Sequence, residues 1–115
     1  MRQYDLEERT FRFAQRINEY VNKLPRTTSN IEDGKQLARA AGSVGANYIE
    51  ANESLGKKDF LMRIRISKKE AKESHYWIRL TSPNRENQKE KEPLIQEAGE
   101  LMKIFGAILE KSKKV

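Results

Sequence analysis

The stretch "KKDFLMRIRISKKEAKESHYWIRL", residues 57–80, decides how this chain folds. Phe60, Ile64, Ser67, Ala71, Ser74 and Ile78 recur at spacings of 4, 3, 4, 3 and 4. That is the period of one face of an α-helix, with Leu61 and His75 beside the stripe. The strand-like triplet Ile64-Arg65-Ile66 is too short and sits inside the helical period. The spacing predicts a helix from Lys57 or Lys58 to Leu80, broken by Ser82-Pro83-Asn84. The same stretch holds the only histidine and the only tryptophan, with Glu70 and Glu73 just upstream. It therefore poses a chemical question as well as a structural one.

Three more periodic segments surround it. In residues 5–24, Leu6, Phe13, Ile17, Tyr20 and Leu24 form a stripe widened by Ala14 and Val21. Asp5 is the expected N-cap and Pro25 the stop. A second helix is expected to start within 29–32, capped by Ser29 or Asn30, with Leu37, Ala41, Val44, Tyr48, Ala51 and Leu55 as its stripe. Gly42 and Gly45 in its interior each cost about 1 kcal/mol against Ala, so they point to a close helix approach. Gly56 reads as its stop. Residues 81–92 form a polar connector, either a loop or a frayed helical extension. A fourth helix is expected from about Pro93, with Leu94, Ala98, Leu101, Phe105 and Ile108 on its stripe, before a basic tail, KSKKV. Four amphipathic helices with short connections predict one all-α domain over residues 1–115, an antiparallel up-and-down four-helix bundle.

Composition narrows the chemistry. With no cysteine, disulfides, a thiolate nucleophile and cysteine-ligated zinc are excluded. No apolar run approaches the roughly 20 residues that span a bilayer, and the N-terminus has no apolar core of a secretory signal. The expectation is a cytoplasmic protein without a membrane partner. The net charge of +6 points to an anionic partner, nucleic acid or an acidic membrane surface.

Glu50, Glu53, Glu70 and Glu73 raise the question of a di-metal bundle site. Such a site needs Glu-x-x-His on each of two helices, whereas the single His75 has Lys72 three residues before it. No metal and no cofactor is expected. His75 as a general base lacks a nucleophile, because Ser74 faces about 100° away on a helix. No catalytic residue is assigned. Trp77 lies off the main stripe and reads as an oligomer contact or as packing at the edge of the core in preference to stacking on a base. The basic residues are better placed. Between Lys57 and Arg79 there are eight (Lys57, Lys58, Arg63, Arg65, Lys68, Lys69, Lys72, Arg79) against Asp59, Glu70 and Glu73. Lys58, Arg65, Lys69 and Lys72 fall along one outward face, and Lys68 adds to it. Arg9, Arg12 and Arg16 form a second row at i, i+3 and i+7. Rows like these are often only a solvated face. Two of them in a basic chain mark candidate phosphate contacts, by shape or backbone rather than base readout.

The polar residues carry a further pattern: Arg39-Ala40-Ala41, then Ser43, Ala46, Asn47 and Glu50, then Phe60, then Ala71, Glu73, Ser74, Tyr76 and Trp77. In this the chain resembles the 23S rRNA-intervening-sequence proteins, over about residues 4–112. The resemblance implies an up-and-down four-helix bundle that assembles as a ring, commonly a homopentamer. It also implies a gene setting in inserts of bacterial large-subunit rRNA genes, and a relation to the basic, nucleic-acid-binding accessory protein of diversity-generating retroelements. It supplies no catalytic residues. It puts Arg39, Asn47, Glu50 and Glu73 at or near helix contacts, where a buried charge needs a partner, so an Arg–Glu network is expected there. The functional expectation is a non-enzymatic homo-oligomer with a basic face for RNA or DNA. The rival is a structural module that binds a protein partner.

Overall fold

The stripes close into four helices: α1 (Gln3–Asn22), α2 (Thr28–Asn52), α3 (Lys57–Leu80) and α4 (Lys91–Lys113). A computed structural model describes residues 3–113, with side chains from Asp5 to Lys113. Connections of four or five residues join α1 to α2 and α2 to α3, so successive helices must reverse direction. The described residues include no strand.

The core lies along the expected stripes except at their ends, where Leu109 is buried in place of Ile108 and Phe60 is only partly buried. Leu6, Phe13, Ile17 and Tyr20 of α1 meet Leu37, Ala41, Val44 and Tyr48 of α2, Ile64, Ala71 and Ile78 of α3, and Leu94, Ala98, Leu101, Phe105 and Leu109 of α4. Tyr48 and Phe105 pack edge to face at 5.6 Å, a geometry that suits the ring quadrupoles. α3 is packed between α2 and α4, and its small buried Ser67, Ala71 and Ser74 allow that closeness. Buried hydroxyls need partners. Ser67 donates to the Val44 carbonyl at 2.9 Å and Ser74 to the Glu70 carbonyl at 2.8 Å.

The two helix-interior glycines differ. A Cβ on Gly45 would lie 2.8 Å from Thr10 Oγ1 and 3.1 Å from Thr10 Cβ, so Gly45 marks the close approach of α2 to α1. A Cβ on Gly42 would meet nothing within 4 Å, so no neighbour requires glycine there.

Several ends depart from expectation. Asp5 lies inside α1 rather than capping it, because the helix already runs from Gln3. α1 ends at Asn22, and Lys23 and Leu24 close a tighter turn onto the Tyr20 and Val21 carbonyls. The cap of α2 is Thr27, whose side chain accepts from the Asn30 amide at 3.1 Å. Asn30 is engaged elsewhere: its Nδ2 donates to the Pro25 and Ser82 carbonyls at 3.0 and 2.9 Å, and its Oδ1 accepts from the Ser82 amide at 2.9 Å. One buried amide thus ties the α1–α2 turn to the segment after α3. α2 stops at Asn52, where the Ser54 hydroxyl takes the Glu50 carbonyl and competes with helix continuation. Leu55 is therefore fully exposed rather than part of the stripe, and Gly56 begins α3 rather than ending α2. The polar connector folds as a 3₁₀ segment, Arg85–Glu90, capped by Asn84, and α4 starts at Lys91, ahead of Pro93. The basic tail is helical to Lys113, and its last two positions lie outside the described residues.

Candidate nucleic-acid interface

α3 turns one face inward and leaves the other to solvent. Ile64, Ser67, Ala71, Ser74 and Ile78 are buried, while Lys58, Arg65, Lys68, Lys69 and Lys72 are all exposed. Among the described residues none of these five is in an ion pair or side-chain hydrogen bond. Lys68 lies towards α4, where a Cβ on Gly106 would sit 3.8 Å from its Nζ. The other four follow one outward line, with side chains at i, i+4 and i+7 stacked above one another.

The α1 row is differently placed. Arg9 makes a bidentate pair with Glu97 of α4, with both bonds at 2.8 Å, and a third contact at 2.8 Å with Glu100. The bond to Glu97 and, after the opposing cost of burial, the bond to Glu100 hold the Arg9 guanidinium further above its ordinary value. Glu100 is held below the usual carboxylate range by Gln96 and then by Arg9. Arg9 is thus a cross-brace between α1 and α4 and offers no free charge. Arg12 and Arg16 are exposed, and Arg16 lines a cleft shared with Glu92, Glu97 and Glu100. A surface hollow of about 870 Å³ runs along α1 and mixes Arg9, Arg12 and Arg16 with Asp5, Glu7 and Glu8. In the α1 row Arg9 is paired, and the exposed Arg12 and Arg16 line hollows that also hold acids, whereas the α3 row lies on an exposed face.

The Arg–Glu network exists in altered form. Arg39 pairs with Glu70 at 3.2 Å and with Glu73 at 3.4 Å. The bond to Glu70 raises the Arg39 pKa above its ordinary value. Glu70 is the buried acid, at 8% side-chain exposure against 37% for Glu73, because it lies nearer the side of α3 that meets α2. Glu50 is exposed and outside the network. Asn47 belongs to a neighbouring link: it donates to the Ser43 carbonyl and hydroxyl at 2.9 Å and accepts from Arg63 at 3.0 Å. Arg39 thus holds Glu73 and also Glu70, and Arg63 rather than Glu50 serves Asn47. Both acids on the flank of α3 are turned towards the one guanidinium of Arg39, away from the lysine row. Trp77 is partly buried against the core and meets Tyr76 edge to face at 5.1 Å.

His75 is half-buried beside Gly99 of α4. Among the described residues no group of three or more His, Asp or Glu side chains converges as metal ligands would. No described helix is long and apolar enough to cross a membrane.

A model of the family described as 23S rRNA-intervening sequence protein matches residues 2–107. The chain belongs to that family. Among solved structures, a crystal structure of a protein with unknown function from the S23 ribosomal protein family of Bacteroides thetaiotaomicron VPI-5482 is similar. It has a TM-score of 0.81 and 25% identity, covering 96% of this chain and 99% of that one. Among curated proteins none matches. Among the described residues of this chain, Lys58, Arg65, Lys68, Lys69 and Lys72 stand exposed and without an ion pair on the third helix of the bundle.

Proposed function

We propose that this 23S rRNA-intervening sequence protein is a non-enzymatic, cytoplasmic homo-oligomer that binds RNA or DNA through the outer face of α3. One observation carries the reading. Lys58, Arg65, Lys68, Lys69 and Lys72 are exposed and unpaired, while the cations that could have joined them, Arg9 and Arg39, are consumed in internal ion pairs. Free cations on one face release counterions from a phosphate backbone, and a ring of subunits, with a pentamer favoured, multiplies that field. The test is titration of labelled RNA and duplex DNA at two salt concentrations, with the wild type and with Arg65→Glu/Lys69→Glu/Lys72→Glu. Binding that falls steeply with salt and is lost in the triple variant supports the reading. An assembled wild type that binds neither at low salt overturns it.

A second reading, a module for protein contacts, also rests on an observation. Phe11 and Ile49 are 57% and 47% exposed and flank a shallow apolar groove with Ala14, Gly42 and Ala46 between α1 and α2. Exposed apolar patches of this kind suit a second copy or another protein. Phe11→Glu/Ile49→Glu should lower the solution mass without unfolding the bundle if the groove is a subunit contact.

A further inference from the structure

Tyr76 stands on the same outer face as the free lysines, four residues after Lys72 and seven after Lys69. It is 53% exposed, and Met62, seven residues before Lys69, is 44% exposed. An exposed aromatic is unremarkable by itself, but this one is held in place. Trp77 packs against the core and meets the Tyr76 ring at 5.1 Å with the planes 77° apart. The tyrosine is therefore braced from one side, with more than half of its surface open. Glu73, the acid three residues before it, is drawn to Arg39 at 3.4 Å.

Shape favours one form of nucleic acid. α3 is flanked by α2 and α4, so its outer face is a shallow ridge rather than a free helix that could enter a major groove. The A-form major groove is narrower still. An unpaired strand meets neither obstacle, because every base offers a π-face to an aromatic platform beside backbone-tracking cations.

We propose that the α3 ridge takes a single-stranded segment, RNA or DNA, with Tyr76 stacking on a base while Lys69 and Lys72 hold the flanking phosphates. This rests on the reading of α3 as the nucleic-acid face. The test is fluorescence anisotropy with one mixed-sequence oligonucleotide, as single-stranded RNA, as single-stranded DNA and as the two matching duplexes. Wild type is compared with Tyr76→Ala, Tyr76→Phe and Lys69→Glu/Lys72→Glu, with helicity and solution mass measured for each. Tyr76→Ala should weaken single-strand binding by about five- to one-hundred-fold with the salt slope unchanged, and Tyr76→Phe should bind as wild type does. The charge variant should lower the salt slope instead. Loss on either single strand, with duplex binding unaffected, supports the stacking contact and identifies which strand the ridge takes. Wild-type binding indifferent to Tyr76, a preference for duplex, or a change of solution mass in Tyr76→Ala overturns the stacking contact alone. No wild-type binding to any of the four overturns the reading of α3 as well.

Discussion

Alanine at Gly45 and at Gly42 should act in opposite directions, although both lie mid-helix in α2. Each substitution relieves a glycine penalty of about 1 kcal/mol. At Gly42 nothing lies within 4 Å of the new methyl group, so the gain is realised and the variant is stabilised by up to about 1 kcal/mol. At Gly45 the methyl carbon would sit 2.8 Å from Thr10 Oγ1 and 3.1 Å from Thr10 Cβ. Carbon contacts are favourable near about 3.5–4.0 Å, so α1 must retreat by several tenths of an ångström. Thr10 cannot easily yield. It is 1% exposed, it is β-branched, and its hydroxyl donates to the Glu7 carbonyl at 2.9 Å. Overpacking of this kind costs about 1–3 kcal/mol, which makes Gly45→Ala roughly neutral to about 2 kcal/mol destabilising. The propensity gain cancels in the difference, so the two variants should lie about 1–3 kcal/mol apart. Urea denaturation followed by circular dichroism, with unchanged slope, measures it. Thr10→Ser, whose hydroxyl can swing aside, should recover part of the Gly45→Ala loss in the double variant. Gly45→Ala stabilising the bundle as much as Gly42→Ala would refute the close approach of α1 and α2.

Three further outcomes follow from the same geometry. Asn30→Ala strips partners from the Pro25 and Ser82 backbone and should cost about 2 kcal/mol in urea denaturation. Burial raises the Tyr20 pKa above 10.0, so its contribution to stability is complete below pH 10 and lost as pH rises through the raised value. Thr81 donates its own proton to the Ile78 carbonyl, so the 2.7 Å Tyr20–Thr81 bond needs the phenol proton. Melting temperature should fall above about pH 10, and Tyr20→Phe should flatten that fall. Arg39→Ala leaves Glu70 buried without its partner, but Arg39 is 54% exposed and solvent screens the pair. The expected loss is only about 1 kcal/mol, checked by thermal denaturation at low and high salt.

The helices and the core were legible because both depend on periodicity within each segment. The five buried stripe residues of α3, Ile64, Ser67, Ala71, Ser74 and Ile78, needed no knowledge of their partners. The helix ends were less legible, because distant groups decide them. Asn30 looks like a cap locally, yet Ser82, 52 positions away, holds its side chain. Arg9 shares a legible row with Arg12 and Arg16, but nothing near it in sequence announces Glu97, 88 positions on. Glu70 and Glu73 differ by less than a turn, and only the rotation of α3 against α2 shows which is buried. The lysine face of α3 was legible for the converse reason: its residues have no partners to discover.

That lysine face is the centre of the account, and its salt dependence tests it most directly. The measurement is the slope of log binding constant against log salt for a single-stranded oligonucleotide. It compares wild type, Lys69→Glu/Lys72→Glu and, as a control with the same change of net charge, Arg12→Glu/Arg16→Glu. Each lost phosphate contact should lower the slope by about 0.7, so the α3 variant should lose about 1.4 units and the α1 variant less than about 0.7. Equal loss in both variants would mean that net charge alone draws the nucleic acid, and would contradict an interface on α3.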